Sequence, residues 1–445
     1  MITESIFKAY DIRGTVPDEL DTLTAYEIGR ALAATQNMKH VAVGRDMRTH
    51  SGDLFGALAR GLMEEGTRVV DVGLCSTDAL YFAVGKFGFD GGVMITASHN
   101  PARYNGFKIC GPKAVPLSNE RELKVMRRWI RAGVPAASRP AGSTTTQDIR
   151  QAYADHVLTF IDLTRIKPFR VVIDAGNGMA GAMLPPVLAA LPITVEPLYF
   201  ELDGTFPNHQ ASPIEPENTE VMRRTVRETG ADFGCAFDGD ADRMFLCDAD
   251  GRMLGGDMVV CLVARKLLRK DPHQTILYNL ICSRAVPELI TRLGGKAVRT
   301  QVGHALIKPQ MAKLNAVFGG EHSGHFYFRD NWFADSGLIA FLVALEVISE
   351  AGRPLAGIVR EFDPYVRSGE INSRVLDIPA KLRELENRYA GGEIDHLDGL
   401  TASFPDFWFN VRPSNTEPLL RLNVEAGDAD TLKRKQDEIL ALIRA

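Results

Sequence analysis

Residues 170–174 read Arg170-Val171-Val172-Ile173-Asp174, and this short apolar run decides the fold. A Gly-rich loop, a predicted helix near residues 180–190 and a second apolar run at 193–195 follow it. Continuous apolar strands of four or five residues that alternate with helices are typical of parallel strands covered on both faces. The stretch therefore predicts a strand, a helix and a second, parallel strand.

The same order of elements occurs in two other places. One copy predicts a strand at 41–44, a helix at 51–65 and a strand at 68–73; the other predicts a strand at 275–279, a helix at 284–293 and a strand at 297–299. Each copy describes a sheet covered by helices, so the three copies predict three α/β domains of related topology.

The last part of the chain follows a different pattern. Two predicted strands, 408–412 and 419–424, flank a polar turn, and an amphipathic helix is predicted over 428–445. This pattern predicts a smaller α+β domain. Proline, glycine, serine and threonine cluster near 135–148, and further boundaries are expected near 250 and 365. The predicted domains are therefore 1–145, 146–250, 251–365 and 366–445.

The composition limits the class of protein. The chain has 445 residues, 45% of them hydrophobic and 24% charged, which is typical of a globular protein with several cores. The net charge of −5 argues against nucleic-acid binding, and every apolar run is shorter than the roughly 20 residues that cross a bilayer. The first five residues lack the features of a signal peptide, and the six cysteines show no CxxC pairing. We expect a cytoplasmic monomer or homodimer with no nucleic-acid or membrane partner.

Residues 238–243 read Asp-Gly-Asp-Ala-Asp-Arg between two apolar runs. Alternation in an extended or looping backbone turns Asp238, Asp240 and Asp242 to one side, where three oxygen ligands can converge on one divalent cation. An EF-hand loop would need glycine sixth and glutamate twelfth, but those positions hold arginine and alanine. The pattern favours a metal site at the end of a core strand; an acidic surface turn is the alternative.

Residues 96–101 read Thr-Ala-Ser-His-Asn-Pro and follow the apolar run 91–95. A serine at the end of a strand, flanked by small residues, can lie exposed enough to carry a phosphoryl group. Ser98 is therefore a candidate reactive hydroxyl and a candidate fourth metal ligand. His99 is either a structural histidine or a group that moves a proton, and Lys108 is either a solvated lysine or a phosphate ligand. A metal, a hydroxyl and an arginine such as Arg243 are the working parts of phosphoryl transfer.

Two further loops carry polar groups. Residues 319–325 join two aromatic runs, and Glu321 in this loop can accept two hydroxyl protons from a polyhydroxylated ligand. Residues 412–416, together with Arg421, combine guanidinium groups, hydroxyls and backbone N–H groups, which suits a phosphate monoester. A polar hairpin turn and a capped surface turn are the alternatives for these two loops.

Taken together, these loops resemble the α-D-phosphohexomutase superfamily over essentially the full length of the chain. The resemblance rests on residues 7–14, the serine loop at Ser98, and the loops 238–243, 321–325 and 412–416. It implies three related α/β domains of mixed sheet flanked by helices, plus a smaller C-terminal α+β domain. The four domains would surround a central cleft, and each would give one loop to it.

The resemblance also implies a role for individual residues. Ser98 would be the phosphorylated serine and would hold Mg²⁺ together with Asp238, Asp240 and Asp242. The other catalytic groups would be His99, Lys108, Arg13, Arg243 and His304. The substrate-binding groups would be Tyr10, Gly303, Glu321, Ser323, His325, Arg412, Ser414, Asn415, Thr416 and Arg421. Many members carry a basic residue where this chain has Ile281, and Arg284 is the candidate replacement for that charge.

The implied activity is that of a phosphohexomutase. It would interconvert hexose 6-phosphate and hexose 1-phosphate through a phosphoserine enzyme and a hexose 1,6-bisphosphate, which would also be the activator. The triplet 321–323, with histidine in the middle, resembles that of phosphomannomutases more than that of phosphoglucosamine mutases. We therefore expect mannose phosphates as substrates, with glucose phosphates or both sugars as the alternative. Two other classes of protein are alternatives. One is an aspartyl-phosphate phosphatase, which would have threonine or valine where this chain has Asp242. The other is a non-catalytic sugar-phosphate sensor.

Overall fold

Four β-sheets follow one another along the chain in the computed structural model, which describes residues 3–8, 11–117, 119–133, 140–414 and 419–445. We refer to the parts of the chain that form these sheets as the first, second, third and fourth units. The sheets of the first three units are mixed and the fourth is antiparallel. The predicted fold class is therefore confirmed.

The first unit contains a six-stranded sheet. Its strands are β1 (Ile12–Thr15), β2 (His40–Arg45), β3 (Arg68–Leu74), β4 (Gly91–Ile95), β5 (Tyr104–Cys110) and β6 (Thr144–Thr146), in the spatial order β1-β5-β4-β2-β3-β6. Its helices are α1 (Thr22–Gln36), α2 (Ser51–Glu64), α3 (Thr77–Phe87) and α4 (Lys124–Arg131). Strand β2 lies parallel to β3 and β4, whereas β5 is antiparallel to β4 and β1. The predicted strands and helix between residues 41 and 73 are confirmed.

The second unit contains a four-stranded sheet. Its strands are β7 (Arg170–Asp174), β8 (Thr194–Leu198), β9 (Phe233–Phe237) and β10 (Met244–Asp248), in the order β10-β9-β7-β8. Its helices are α5 (Arg150–Leu158), α6 (Ala180–Leu188) and α7 (Glu220–Thr229). Strand β7 is parallel to β8 and β9, while β9 and β10 form an antiparallel hairpin. The aspartate loop 238–243 is the turn of that hairpin.

The third unit contains a five-stranded sheet and carries a second hairpin, whose loop is a predicted site. Its strands are β11 (Thr275–Asn279), β12 (Lys296–Thr300), β13 (Phe318–Gly320), β14 (Phe326–Phe328) and β15 (Ala334–Asp335), in the order β12-β11-β13-β14-β15. Its helices are α8 (Gly256–Lys270), α9 (Ala285–Arg292), α10 (His304–Leu314), α11 (Gly337–Ala351) and α12 (Leu355–Val359). The loop 321–325 joins the antiparallel strands β13 and β14.

The fourth unit is the predicted α+β structure. Its strands are β16 (Val366–Arg374), β17 (Glu393–Asp395), β18 (Leu400–Ser403), β19 (Phe407–Pro413) and β20 (Leu419–Ala426), in the order β16-β20-β19-β18-β17. Its helices are α13 (Ile378–Arg388) and α14 (Ala429–Arg444). The three boundaries between the four predicted domains stay predictions; the boundary predicted at 145 falls within β6.

The apolar core joins the first three units and leaves the fourth separate. The largest cluster of buried hydrophobic residues runs from α3 through α5 to α11 and includes Phe82, Tyr153 and Phe341. The fourth unit has a cluster of its own, centred on β19 and β20. All six cysteines are free and buried. Among the described residues, no helix has both the length and the apolar character needed to cross a membrane.

Two glycines allow α1 and α2 to pack at close range. A Cβ atom on Gly61 would lie 2.2 Å from the carbonyl oxygen of Tyr26, and one on Gly29 would lie 2.3 Å from that of Leu58. Carbon and oxygen cannot approach so closely, so the helices can keep this distance only while both positions lack a side chain.

We predict that Gly61→Ala destabilises the protein by about 1–3 kcal/mol, because the added methyl group forces the two helices apart. The matched control is Gly56→Ala on the same helix, where nothing lies within 4 Å of the added Cβ atom. There the better helix propensity of alanine should raise stability by up to about 1 kcal/mol. The midpoint of thermal unfolding compares the two variants; equal midpoints would contradict the close-packing argument.

Candidate active site

A cavity of about 420 Å³ lies where loops from all four units meet. Its wall includes Arg13, Ser98, His99 and Lys108 from the first unit, Asp242 and Arg243 from the second, Gly303 and His325 from the third, and Arg412, Ser414 and Arg421 from the fourth. All of these are predicted site residues. Tyr10, Asn415 and Thr416 lie outside the described residues, and so does the side chain of His304, whose backbone begins α10.

The reactive hydroxyl lies in a strained turn after β4. Ser98 has a φ of 51°, a left-handed conformation that costs a non-glycine residue energy. Its backbone N–H donates to Thr96 Oγ1 at 2.8 Å, which holds the turn. The Ser98 Oγ donates to Asp238 Oδ2 at 2.8 Å and accepts from Arg243 Nη2 at 3.1 Å. The hydroxyl therefore lies between the acidic loop and a cation.

A buried arginine that the sequence reasoning missed holds this turn in place. Arg48 donates to four backbone carbonyl oxygens, those of Ser98 at 2.8 Å, Asn100 at 2.6 Å, Pro101 at 2.8 Å and Tyr104 at 3.0 Å. Asp46 pairs with the same guanidinium at 3.1 Å. Burial lowers the pKa of Arg48, and Asp46 opposes that shift. The available signal was the run of charged residues after the predicted strand 41–44, in which Arg48 follows Asp46 by two positions.

The acidic loop approaches the serine turn at a glycine. A Cβ atom on Gly239 would lie 2.5 Å from the carbonyl oxygen of Ser98, so a larger residue there would separate the two loops. Ala241, which lies between Asp240 and Asp242, has a φ of 60°, and this left-handed conformation reverses the chain there. This backbone path turns the aspartates toward one point.

The three aspartates form a site that could hold a metal ion. Asp238, Asp240 and Asp242 each bring a carboxylate oxygen to within 4.8 Å of the others, and all three are buried. Among the described residues, Asp240 Oδ1 and Asp242 Oδ1 have no hydrogen-bond partner. A buried acceptor without a donor is unfavourable, so these oxygens suit a cation ligated by hard oxygen atoms.

Two cations from the protein compensate part of this negative charge. Lys108 Nζ lies 2.6 Å from both Asp240 Oδ2 and Asp242 Oδ2, and Arg243 Nε donates to Asp238 Oδ2 at 2.9 Å. Burial raises the pKa of Asp238 to about 7. Burial also opposes ionisation of Asp240, but Lys108 outweighs it and lowers the pKa of that carboxyl. Burial likewise disfavours the charged form of Lys108, yet Asp240 and Asp242 outweigh it and raise its pKa.

His99 lies against the same arginine. Its Nδ1 accepts a short hydrogen bond from Arg243 Nη2 and lies 3.4 Å from Ser98 Oγ. Burial, followed by the charges of Arg243 and Arg13, holds the pKa of His99 well below its usual range, so the imidazole is neutral. Arg13 donates to Asp11 and Asn100 at 2.5 Å each. Arg13, from the stretch 7–14, is therefore fixed at the wall of the cavity.

The third unit contributes His325 and an ion pair that the sequence reasoning missed. His325 Nδ1 lies 2.8 Å from Asp335 Oδ2 and 3.8 Å from Asp242 Oδ1. Burial disfavours protonation of His325, but Asp242 and Asp335 outweigh it and raise its pKa. Asp335 also pairs with the buried Lys308 at 2.6 Å, whose ammonium lies 4.2 Å from the ring centroid of Tyr81. No local motif marks these residues.

Glu321 and Ser323 are not part of the cavity wall in this structure. Glu321 is buried, and its carboxylate accepts from the Tyr327 hydroxyl, from Asn279 Nδ2 at 3.3 Å and from the Gly303 N–H at 3.2 Å. The carboxylate thus stabilises the loop before α10. Its contact with a substrate, and that of Ser323, stay predictions.

The fourth unit places two arginines at one end of the cavity. Arg412 and Arg421 are directly opposite each other on β19 and β20, and Arg421 Nη2 donates to Ser414 Oγ at 3.4 Å. Both arginines pair with Glu370, at 2.5 Å for Arg412 and 3.4 Å for Arg421. Sequence reasoning did not single out Glu370.

The expectation for Arg284 is wrong. Its side chain donates to the carbonyl oxygens of Phe404 at 2.6 Å and Phe407 at 3.1 Å, and its backbone N–H donates to Glu425 at 3.0 Å. The guanidinium therefore connects the third unit to the fourth and does not line the cavity. Spacing along the chain could not show this, because the acceptors lie more than 100 residues away.

Comparison with known proteins identifies relatives over the whole chain. Models of phosphoglucomutase/phosphomannomutase α/β/α domains I, II and III match residues 4–132, 151–251 and 255–365, and the model of the C-terminal domain matches 370–442. The chain is 41% identical to phosphohexose mutases of Xanthomonas campestris pv. campestris, with 100% of both chains covered. It is 39% identical to a phosphomannomutase of Salmonella montevideo, with 99% of both covered.

A solved structure shows the same arrangement of domains. The phosphoglucomutase/phosphomannomutase family protein from Burkholderia thailandensis superposes with a TM-score of 0.91 at 33% identity, over 99% of this chain and 97% of that one. These comparisons confirm the resemblance inferred from the five loops.

We predict that the protein binds a divalent cation and that Asp240→Asn weakens this binding at least about tenfold, because one of three converging charges is lost while the size of the side chain is kept. Isothermal titration with Mg²⁺ or Mn²⁺ measures the affinity. Asp250→Asn, an exposed position on the turn after β10, is the control and should bind as the unaltered protein does. Equal affinity in all three proteins would argue against the aspartate loop as the metal site.

Proposed function

The chain belongs to the phosphoglucomutase/phosphomannomutase family, and on that premise we propose that it interconverts hexose 6-phosphate and hexose 1-phosphate, with mannose phosphates as the preferred substrates. One observation carries this proposal: the Ser98 hydroxyl is hydrogen-bonded to both Asp238 and Arg243 beside three converging carboxylates. A hydroxyl, an acidic cluster and an arginine in contact are the elements that phosphoryl transfer needs.

The preference for mannose rests on two supports. Several relatives that match nearly the whole chain are named phosphomannomutase, among them those of Salmonella montevideo and Escherichia coli. The triplet Glu321-His322-Ser323 also resembles phosphomannomutases. Because mannose and glucose phosphates differ only in the orientation of one hydroxyl group, activity on both sugars is the second candidate.

In the first half of the reaction, phosphorylated Ser98 transfers its phosphoryl group to the free hydroxyl of a hexose monophosphate. The bond from phosphorus to the serine oxygen breaks, and a bond from phosphorus to the sugar oxygen forms. The sugar hydroxyl gives its proton to a base, for which His99 and His304 are the candidates; Lys108, the third predicted candidate, already carries its proton because Asp240 and Asp242 raise its pKa. The Ser98 oxygen is left hydrogen-bonded to Arg243, whose guanidinium stabilises the negative charge that develops there.

The aspartate loop is the proposed Mg²⁺ site. Asp238, Asp240, Asp242 and the Ser98 oxygen would be its ligands, since two of the carboxylate oxygens lack a hydrogen-bond partner among the described residues. When bound, Mg²⁺ would supply positive charge against that of the transferred phosphoryl group.

The second half of the reaction requires the hexose 1,6-bisphosphate to turn around. Its other phosphate then faces Ser98, and the phosphoryl group returns to the serine oxygen with release of the isomeric monophosphate. The phosphate that does not react is held each time by Arg412 and Ser414, together with Arg421. A hexose 1,6-bisphosphate can also phosphorylate Ser98 directly, which makes it the proposed activator.

We predict that Ser98→Ala lowers mutase activity at least about a hundredfold while the fold persists, because the Ser98 hydroxyl, held between Asp238 and Arg243, is the proposed acceptor of the phosphoryl group. The assay follows conversion of mannose, glucose and glucosamine monophosphates side by side. Intact-mass measurement after incubation with a hexose 1,6-bisphosphate should show one phosphate on the unaltered protein and none on the variant.

The matched control for this variant is Ser143→Ala, at an exposed serine before β6. It should keep both activity and phosphorylation. A phosphate that is lost in acid as well as in base would indicate an aspartyl-phosphate enzyme instead, because phosphoserine survives acid. Activity of Ser98→Ala near that of the control would refute the assignment.

We predict that Arg412→Ala lowers kcat/KM about 10- to 150-fold for both the 1-phosphate and the 6-phosphate of the same sugar, from the loss of charge-assisted hydrogen bonds worth roughly 1.5–3 kcal/mol. The same loop holds whichever phosphate is not reacting, so the two losses should be similar. Steady-state kinetics in both directions test this. Arg374→Ala, at an exposed position on β16, is the control. A large defect in one direction alone would contradict a shared phosphate site.

A further inference from the structure

Glu370 reaches two arginines of the cavity wall because of an irregularity in its strand. The register between β16 and β20 shifts between Arg367 and Glu370, which marks a β-bulge. Gly369 at the bulge has a φ of 68°, a conformation that glycine adopts at little cost. Bulges bend a strand locally and change the direction of a side chain, and they are frequent next to active sites. The bulge thus aims Glu370 at Arg421 on the adjacent strand β20 and at Arg412 on β19, the strand beyond it.

The two arginines at this end of the cavity need a counter-charge. Arg412 and Arg421 form a directly opposed pair of like charges on adjacent strands, which is destabilising by itself. Arg412 is buried, so its charge cannot be left without a partner. Burial lowers the pKa of Arg412, Glu370 acts against this shift, and Arg421 adds to it.

Glu370 supplies that counter-charge to both arginines at once. Its Oε2 lies 2.5 Å from Arg412 Nη2, and its Oε1 lies 3.4 Å from Arg421 Nη1. The carboxylate therefore bridges the two guanidinium groups with one oxygen on each. A phosphate monoester presents the same kind of acceptor, two negatively charged oxygens on one centre, to the same two arginines.

Both arginines line the cavity, while the side chain of Glu370 is 30% exposed. A phosphate group that enters therefore meets guanidinium groups that are already paired, and it also meets a negative charge beside them. Part of its attraction to the arginines is cancelled by that charge. When the phosphate leaves, the carboxylate is in place to pair with Arg412 again. The buried guanidinium of Arg412 is therefore never left without a counter-charge.

We propose that Glu370 is an internal competitor for substrate phosphate, which keeps the affinity of the Arg412–Arg421 site low enough for the reaction intermediate to leave it and turn around. This inference rests on the proposed mutase function, because only a bisphosphate that must release and rebind each of its phosphates benefits from such a site. Tight binding of substrate and intermediate alike would lower KM without raising kcat. The weaker site instead favours turnover.

The direct test measures binding of inorganic phosphate to the full-length protein, without turnover. Glu370→Gln keeps the shape of the side chain and removes its charge, so phosphate should bind about five- to tenfold more tightly, as expected for a partly exposed pair of charges. Glu393→Gln removes the same charge from an exposed position on β17 of the same sheet and should leave the affinity unchanged. Adding Arg412→Ala to Glu370→Gln should abolish the gain.

Unchanged or weaker phosphate binding in Glu370→Gln would overturn the proposal, since it would mean that the carboxylate only orients the arginines. Glu370→Asp provides a second variant with the charge kept and the reach shortened; it should bind phosphate with intermediate affinity. Affinity equal to that of the unaltered protein in both variants would likewise overturn the proposal. The thermal unfolding midpoint verifies that each variant is folded.

Kinetics separate the competitor role from a merely structural one. In Glu370→Gln both KM and kcat for hexose monophosphates should fall, by about fivefold each, and hexose 1,6-bisphosphate should stay bound longer after rapid dilution. A lower kcat with a raised KM would indicate lost positioning and would overturn the proposal. If the unaltered protein isomerises no hexose phosphate at all, the proposed function fails, whereas the phosphate titration still decides whether Glu370 competes for the arginines.

Discussion

Three carboxylates buried within 4.8 Å of one another are the constraint on which the rest of the site depends. Carboxylates removed from water at this distance cannot all stay ionised without counter-charges. Lys108 on β5 supplies one and Arg243 at the start of β10 supplies another. Because the lysine belongs to the first unit and the aspartates to the second, the interaction that neutralises the loop also attaches the two units to each other.

The geometry at Ser98 follows from that attachment. Gly239 permits the backbone of the acidic loop to lie against the serine turn, and Arg48 holds the turn through four carbonyl oxygens. Thr77, at the start of α3, donates to Asp240 at 2.5 Å and so orients a carboxylate of the neighbouring unit. A left-handed serine is unfavourable alone and persists where its surroundings determine it this completely.

The fourth unit is held differently. Its apolar cluster is its own, and its contacts with the third unit include the hydrogen bonds of Arg284 and the ion pairs of Arg299 with Asp395 and of Arg367 with Asp257. The same preference for paired charges recurs in the phosphate loop, where Glu370 offsets two opposed arginines. Polar contacts at both places are exchangeable with water or with an anionic ligand, whereas the apolar core shared by the first three units is not.

The positions of the strands, and of the loops that carry chemistry, follow from the local pattern of residues. Short apolar runs fix where strands begin and end, since a strand covered on both faces must be apolar throughout, and polar residues directly after such a run lie at the edge of a sheet. The strands β7 and β8, the hairpin turn 238–243 and Ser98 after β4 all follow this pattern. The pattern does not identify charged residues whose neighbours in the sequence are those of an ordinary polar surface.

The roles of Arg48, Glu370 and Arg284 depend instead on how distant parts of the chain pack together. Arg48 meets the carbonyl of Ser98 across 50 positions, Glu370 meets Arg412 across 42, and Arg284 meets the carbonyl of Phe404 across 120. The role of a charged side chain depends on which partner replaces the water around it when it is buried. That partner is chosen by the packing of units and strands, so the pattern of neighbouring residues along the chain carries no record of it.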